Sequence, residues 1–186
     1  MKKFLVSFGV CLLGLYASAQ EKGDMAAGLN LGVAPCLEKG VSVTNFGIGA
    51  KFQYNITNPI RLEVDLDYWF KSKGVDVFDI SINGHYLFHV ANKITVYPLI
   101  GIGFAHNSAI AEGDLNFEDF DTPWGGISKD EYEDSLKGSA NNFLFNIGIG
   151  GQYEITEKIS AGIEIKYQYI KNFSRLPITI GATYKF

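Results

Sequence analysis

Ile60-Arg61-Leu62-Glu63-Val64-Asp65-Leu66-Asp67-Tyr68-Trp69-Phe70 is two interleaved lists. Even positions carry Ile60, Leu62, Val64, Leu66, Tyr68 and Phe70; odd positions carry Arg61, Glu63, Asp65, Asp67 and Trp69. A period of two is that of a β-strand, whose side chains alternate between faces, whereas a helix would scatter these four charges round its circumference. The segment therefore separates an apolar environment from a polar one. Alternation alone does not say whether the apolar face meets a protein core or lipid, so the rest of the chain has to decide.

The same alternation recurs over residues 25–33, 46–56, 78–88, 94–104, 143–153, 159–169 and 178–186, which makes eight segments with the first. Residues 94–104 set Ile94, Val96, Pro98, Ile100, Ile102 and Phe104 against Thr95, Tyr97, Leu99, Gly101 and Gly103; Pro98 weakens a central strand, but the pattern holds on both sides of it. Short connections are expected at Asn58-Pro59, residues 89–92 and 154–158, and others at 71–74 and 170–175. From Asn107 to Ala140 the alternation is read as stopping, in a solvated loop with nine acidic residues against Lys129 and Lys137. Within it Ser128 and Glu131 have the spacing of a capping box and Gly138 that of a stop, predicting a short helix over 129–137.

Three features favour lipid over a protein core. Connections alternate between short and mostly longer, as in up-and-down barrels with short periplasmic turns and longer outer loops. Strands of this length, tilted near 45°, match an apolar band of about 25 Å. Aromatic residues such as Phe46, Tyr54, Phe70, Tyr86, Phe104, Tyr153, Tyr169 and Phe186 gather toward strand ends on the apolar face, as interfacial girdles do. The expected fold is all-β, an eight-stranded antiparallel up-and-down transmembrane β-barrel.

Lys2 and Lys3, an apolar run to Tyr16 and the small residues Ala17-Ser18-Ala19 predict a signal peptide over 1–19, leaving a single barrel domain over 20–186. The whole chain has 16 basic and 20 acidic residues; without Lys2 and Lys3 the balance is 14 against 20, net −6, which argues against nucleic acid. Past that segment Cys36 is the lone cysteine, so no disulfide framework is expected.

The leader ending Ala-Ser-Ala-Gln, the eight alternating segments, the run Tyr97-Pro98-Leu99-Ile100-Gly101-Ile102-Gly103 and the terminal Ala182-Thr183-Tyr184-Lys185-Phe186 resemble the porin-like family of small outer-membrane β-barrels that includes OmpX and the OmpA transmembrane domain. The resemblance implies a cell-surface protein of the outer membrane. It also implies contact with outer-membrane lipid and lipopolysaccharide, and a terminal Phe186 read by the assembly machinery. No peptidoglycan-binding domain is expected after Phe186. An eight-stranded barrel is only wide enough for its own side chains, so Lys51, Arg61, Glu63, Asp65, Asp67, Glu164, Lys166 and Lys185 are expected to fill the lumen and pair with one another.

No catalytic, cofactor or metal site is expected. His106-Asn107-Ser108 resembles the His-x-Ser of lipid A deacylases, with His106 and Ser108 on the lipid face and Glu112 available to orient the imidazole; Ala109 departs from the Asn that usually follows. His85 belongs to the inner face and His89 to a turn, with no further ligand to complete a metal set. The expectation is a non-enzymatic, monomeric surface protein acting in membrane integrity or adhesion, with an unidentified ligand for loop 107–140. Its rivals are a lipid A-modifying enzyme at His106 and Ser108, a narrow ion channel, and a soluble lipocalin-like binding barrel.

Overall fold

The computed structural model describes residues 21–38, 43–110, 137–171 and 174–186. The predicted signal peptide and the predicted helix up to residue 136 lie outside them; Lys137 stands in a strand. The strands are β1 (Met25–Pro35), β2 (Thr44–Asn55), β3 (Ile60–Ser72), β4 (Val75–Tyr86), β5 (Phe88–Ala91), β6 (Ile94–Ile110), β7 (Lys137–Glu154), β8 (Ile159–Ile170) and β9 (Ile178–Lys185). Every neighbour pair is antiparallel in the order β4-β3-β2-β1-β9-β8-β7-β6-β5, and β4 also pairs β6, so the sheet closes. β4 and β5 are one wall strand interrupted at Leu87, both lying against β6, and the barrel has eight walls as expected.

Closure follows from the chemistry of the faces. In β2 and β3 the exposure alternates residue by residue, with the apolar list outward and the charged list inside. Outward stand Leu29, Ile48, Leu66, Ile82, Ile102, Ile149 and Ile180, all exposed. A wall that is apolar on its outer surface survives only in lipid, and in lipid an open strand edge would leave unpaired amides costing several kcal/mol each.

Aromatic side chains ring both ends, with Tyr68 on Phe70 (5.4 Å) and Phe104 on Phe143 (5.9 Å) at one, and Tyr86 on Phe88 (4.9 Å) and Phe52 on Phe186 (6.5 Å) at the other. Pro98 stays in the wall, opposite Ile149, with the ladder intact on either side.

Several strand ends differ from the sequence reading. β3 and β4 meet in a tight turn at Lys73 and Gly74, both at positive φ (46° and 80°), so this connection is short and does not follow the length alternation. Residues 89–91 are strand, and the turn there is Asn92 and Lys93. The strand does not stop at Asn107 where the alternation does: β6 and β7 stay paired out to Ile110 and Lys137. β4 reaches β6 only up to Ala109, and β7 pairs β8 only from Leu144, so the β6–β7 hairpin outruns its neighbour β8. In each case a few more residues of ladder satisfy backbone groups that a loop would leave to water.

Candidate functional site

The interior is built in rungs, because inward residues on β3 recur every second position from Arg61 to Trp69. At the end carrying the short turns, Arg61 donates through Nε and Nη2 to His85 Nδ1 (3.2 and 3.0 Å) and through Nη1 to Gln152 (2.8 Å). His85 stacks on Tyr97 at 4.6 Å, and the guanidinium lies 4.7 Å from the same ring. In the next rung Lys51 Nζ bridges Glu63 (3.2 Å) and Glu164 (3.0 Å), with Gln53 donating to Glu63 and Tyr97 Oη to Glu164. Above it Lys166 pairs Asp65 at 2.9 Å, and Asn83 and Asn146 extend the chain of hydrogen bonds across the lumen.

Room for these groups comes from glycine. A Cβ on Gly49 would strike the side chains of Asp67 and Asn30, and one on Gly101 would strike Asn83.

Arg175 is the residue that sequence reading missed. Sequence reading placed residues 170–175 in a connection; in the structure Arg175 bridges Cys36 and Gln168 through its backbone and is completely buried. Its guanidinium pairs Asp79, donates to Gln168 and lies 4.9 Å from the Trp69 ring, while Trp69 Nε1 donates to Asp79 at 2.9 Å. The signal available was Asp79, which shares the inward register of His85 and adds a fifth acid to the four acids and four cations predicted for the lumen. Lys185, expected in the lumen, sits at the short-turn mouth beside Asp24 (3.4 Å).

Beyond Arg175, Ala34, Trp69, Val77, Ala105, Leu144 and Ile170 meet inside the barrel, each at most 1% exposed. This apolar layer seals the long-loop end. Four of the six, Ala34, Val77, Ala105 and Ile170, stand one residue past the strand limits read from the sequence, where both faces are apolar and alternation loses its contrast.

Glu63, His85 and Glu164 bring ligand-type atoms within 4.8 Å of one another. Two observations speak against a metal there. Arg61 can only donate, so His85 Nδ1 must accept and the ring proton sits on Nε2, the atom facing Glu63 at 3.7 Å; no lone pair remains for an ion. The Lys51 ammonium already occupies the position between the two carboxylates.

On the outer face His106 is exposed, and its Nδ1 meets Asn141 Oδ1, its register partner on β7, at 2.7 Å. Among the described residues no hydrogen bond joins His106 to Ser108, although a hydroxyl nucleophile needs that bond to its base. Glu112 lies outside the described residues. His89, part of β5, meets Thr95 Oγ1 at 2.8 Å.

Among protein families, the one described as an outer membrane protein beta-barrel domain matches residues 5–186. Outer membrane protein PagN of Salmonella typhimurium is 28% identical over 157 residues, 73% of this chain; the chain spans 59% of that relative's length. Neisserial surface protein A superposes with a TM-score of 0.67 at 15% identity, covering 87% of this chain and 97% of the other. Ail, the attachment invasion locus protein of Yersinia pestis, gives 0.61 at 14% identity, covering 89% and 99%. The same protein in complex with the heparin analogue sucrose octasulfate gives 0.60 at 14% identity, covering 89% and 99%. At these identities the superpositions speak to the fold.

Proposed function

Since this chain belongs to the outer membrane protein beta-barrel domain family and lies in the outer membrane, we propose that it is a non-enzymatic surface protein that binds a partner through its long-loop end. The observation that carries the reading is the sealed interior. Among the described residues the lumen is filled with ion pairs and crossed by the Trp69 layer, so we place the interaction chemistry on what projects from the wall. That is the β6–β7 hairpin out to Ile110 and Lys137; in sequence, residues 107–140 hold nine acidic groups and two lysines, a net charge of −7.

Such a surface selects a basic partner and steers it over roughly the Debye length, about 8 Å at physiological salt. Ail offers a contrast, since its complex holds a polyanion. Lipid and lipopolysaccharide are the proposed neighbours of the wall, with the short turns facing the periplasm.

The test uses the folded barrel in detergent on a sensor coated with polylysine or with heparin. Salt-sensitive binding to polylysine, lost when residues 111–136 are replaced by a short glycine-serine linker, is expected; binding to heparin, or binding indifferent to the replacement, overturns the reading. Mass analysis of lipid A from cells with and without the protein, expected unchanged, tests the non-enzymatic part.

A further inference from the structure

The outer wall has a hollow. Its floor is Ala161 and Ala182, register partners across β8 and β9, with Gly151 diagonally beside them on β7. Leu29, Leu31, Ile94, Tyr153, Ile163 and Ile180 form the rim of a volume of about 830 Å³. Gly151 is not imposed by the protein's own packing. It lacks the positive φ seen at Gly74, and a Cβ built on it would meet nothing within 4 Å, unlike the lumen glycines. A glycine inside a strand weakens it and often marks where something else approaches closely.

One row nearer the short-turn end, Tyr184 lies between Ala27 and Ile159, and the exposed Lys158 places its ammonium 5.9 Å from the Tyr184 ring. Asp24, Glu154 and Glu157 line the lumen mouth, together with Lys185 and with Lys158 itself. The Lys158 ammonium, lying toward the exposed Tyr184 ring, brings positive charge from that mouth to the outer face below the hollow. An apolar trough ending at an ammonium, within a wall immersed in lipid, matches an amphiphile with an anionic head.

We propose that the hollow holds one resident phospholipid, an acyl chain lying over Ala182, Ala161 and Gly151 and its phosphate at Lys158. The proposal rests on the membrane-barrel reading and deepens it. A second copy of the chain would instead have to fit a protruding side chain into the hollow, and nothing in that fit would call for Lys158.

Native mass spectrometry of the folded barrel in non-ionic detergent, titrated with phosphatidylglycerol, tests it. A one-lipid adduct is expected, weakened about tenfold, or ~1.4 kcal/mol, by Gly151→Leu with Ala161→Leu, and several-fold by Lys158→Gln. Heat-modifiable gel mobility checks that each variant folds. If the double variant does not, a photocrosslinker at Ile163 should capture labelled phospholipid in vesicles more strongly than one at Ile82 on another wall strand. Equal retention by all variants with equal labelling at both sites overturns the proposal and leaves the barrel intact. A dimer abolished by the double variant overturns it too, assigning the hollow to a second copy.

Discussion

Lys51 shows how a single residue holds this interior. Its ammonium compensates both Glu63 and Glu164, and all three side chains are removed from water. A buried ion pair adds little net stability over an apolar filling, but removal of one partner leaves an uncompensated charge and costs about 3–5 kcal/mol. Lys51→Met should show that loss in urea unfolding from lipid vesicles, and adding Glu63→Gln should recover part of it because the two changes share one network. On the opposite face Leu66 stands at the middle of β3, exposed to hydrocarbon. Leu66→Arg should destabilise by about 2–4 kcal/mol in the same titration, the usual cost of arginine near the bilayer midplane. A tolerance of arginine there equal to that of an aqueous surface would mean the faces are reversed.

At the scale of the element, the β6–β7 hairpin is the feature that differs most from a plain wall. Its ladder continues to Ile110 and Lys137, beyond the point where β8 has ended. The acidic sequence it carries holds Lys129, a tryptic site. Trypsin added to intact cells should therefore cut within 111–136 first, read as paired fragments on a denaturing gel. First cleavage at Lys158, in the turn between β7 and β8, would place the short turns outside and invert the proposed orientation.

The whole molecule is a closed wall round a filled lumen with one sealed end. In planar bilayers the protein should add no steady conductance, whereas Trp69→Ala combined with Leu144→Ala, which opens the apolar layer, should produce discrete current events. Currents of equal size from the unaltered chain would refute the seal. Closure also ties the two termini of the sheet together. β9 pairs β1 from Val33↔Ile178 to Ala26↔Lys185, and Phe186 donates its N–H to Met25 O at 3.1 Å beside the Phe52 ring. Deleting Phe186 removes one rung and leaves the remaining ladder. We propose that the assembly machinery reads this residue, as the family resemblance implies, so stability refolded in detergent should change little while assembled barrel in cells falls sharply. Quantifying both on one variant separates the two roles.

The strands, their faces and the barrel were legible in the residues alone, because period-two contrast between charge and hydrocarbon is a local property that neighbouring residues already display. So was the membership of most of the lumen: Arg61, Glu63, Asp65, Asp67, Lys51, Glu164 and Lys166 sit on the predicted face and are buried there. Where both faces turn apolar at the strand ends, that contrast vanishes, and Ala34, Val77, Ala105 and Ile170 went unread. Their convergence on Trp69 at one end, and the meeting of Arg175 from a connecting segment with Asp79, emerge only in the folded barrel. These are encounters between strands far apart in sequence, fixed by register and closure and by the need of a buried carboxylate for a cation, and no periodicity within one strand encodes which distant residue will supply it.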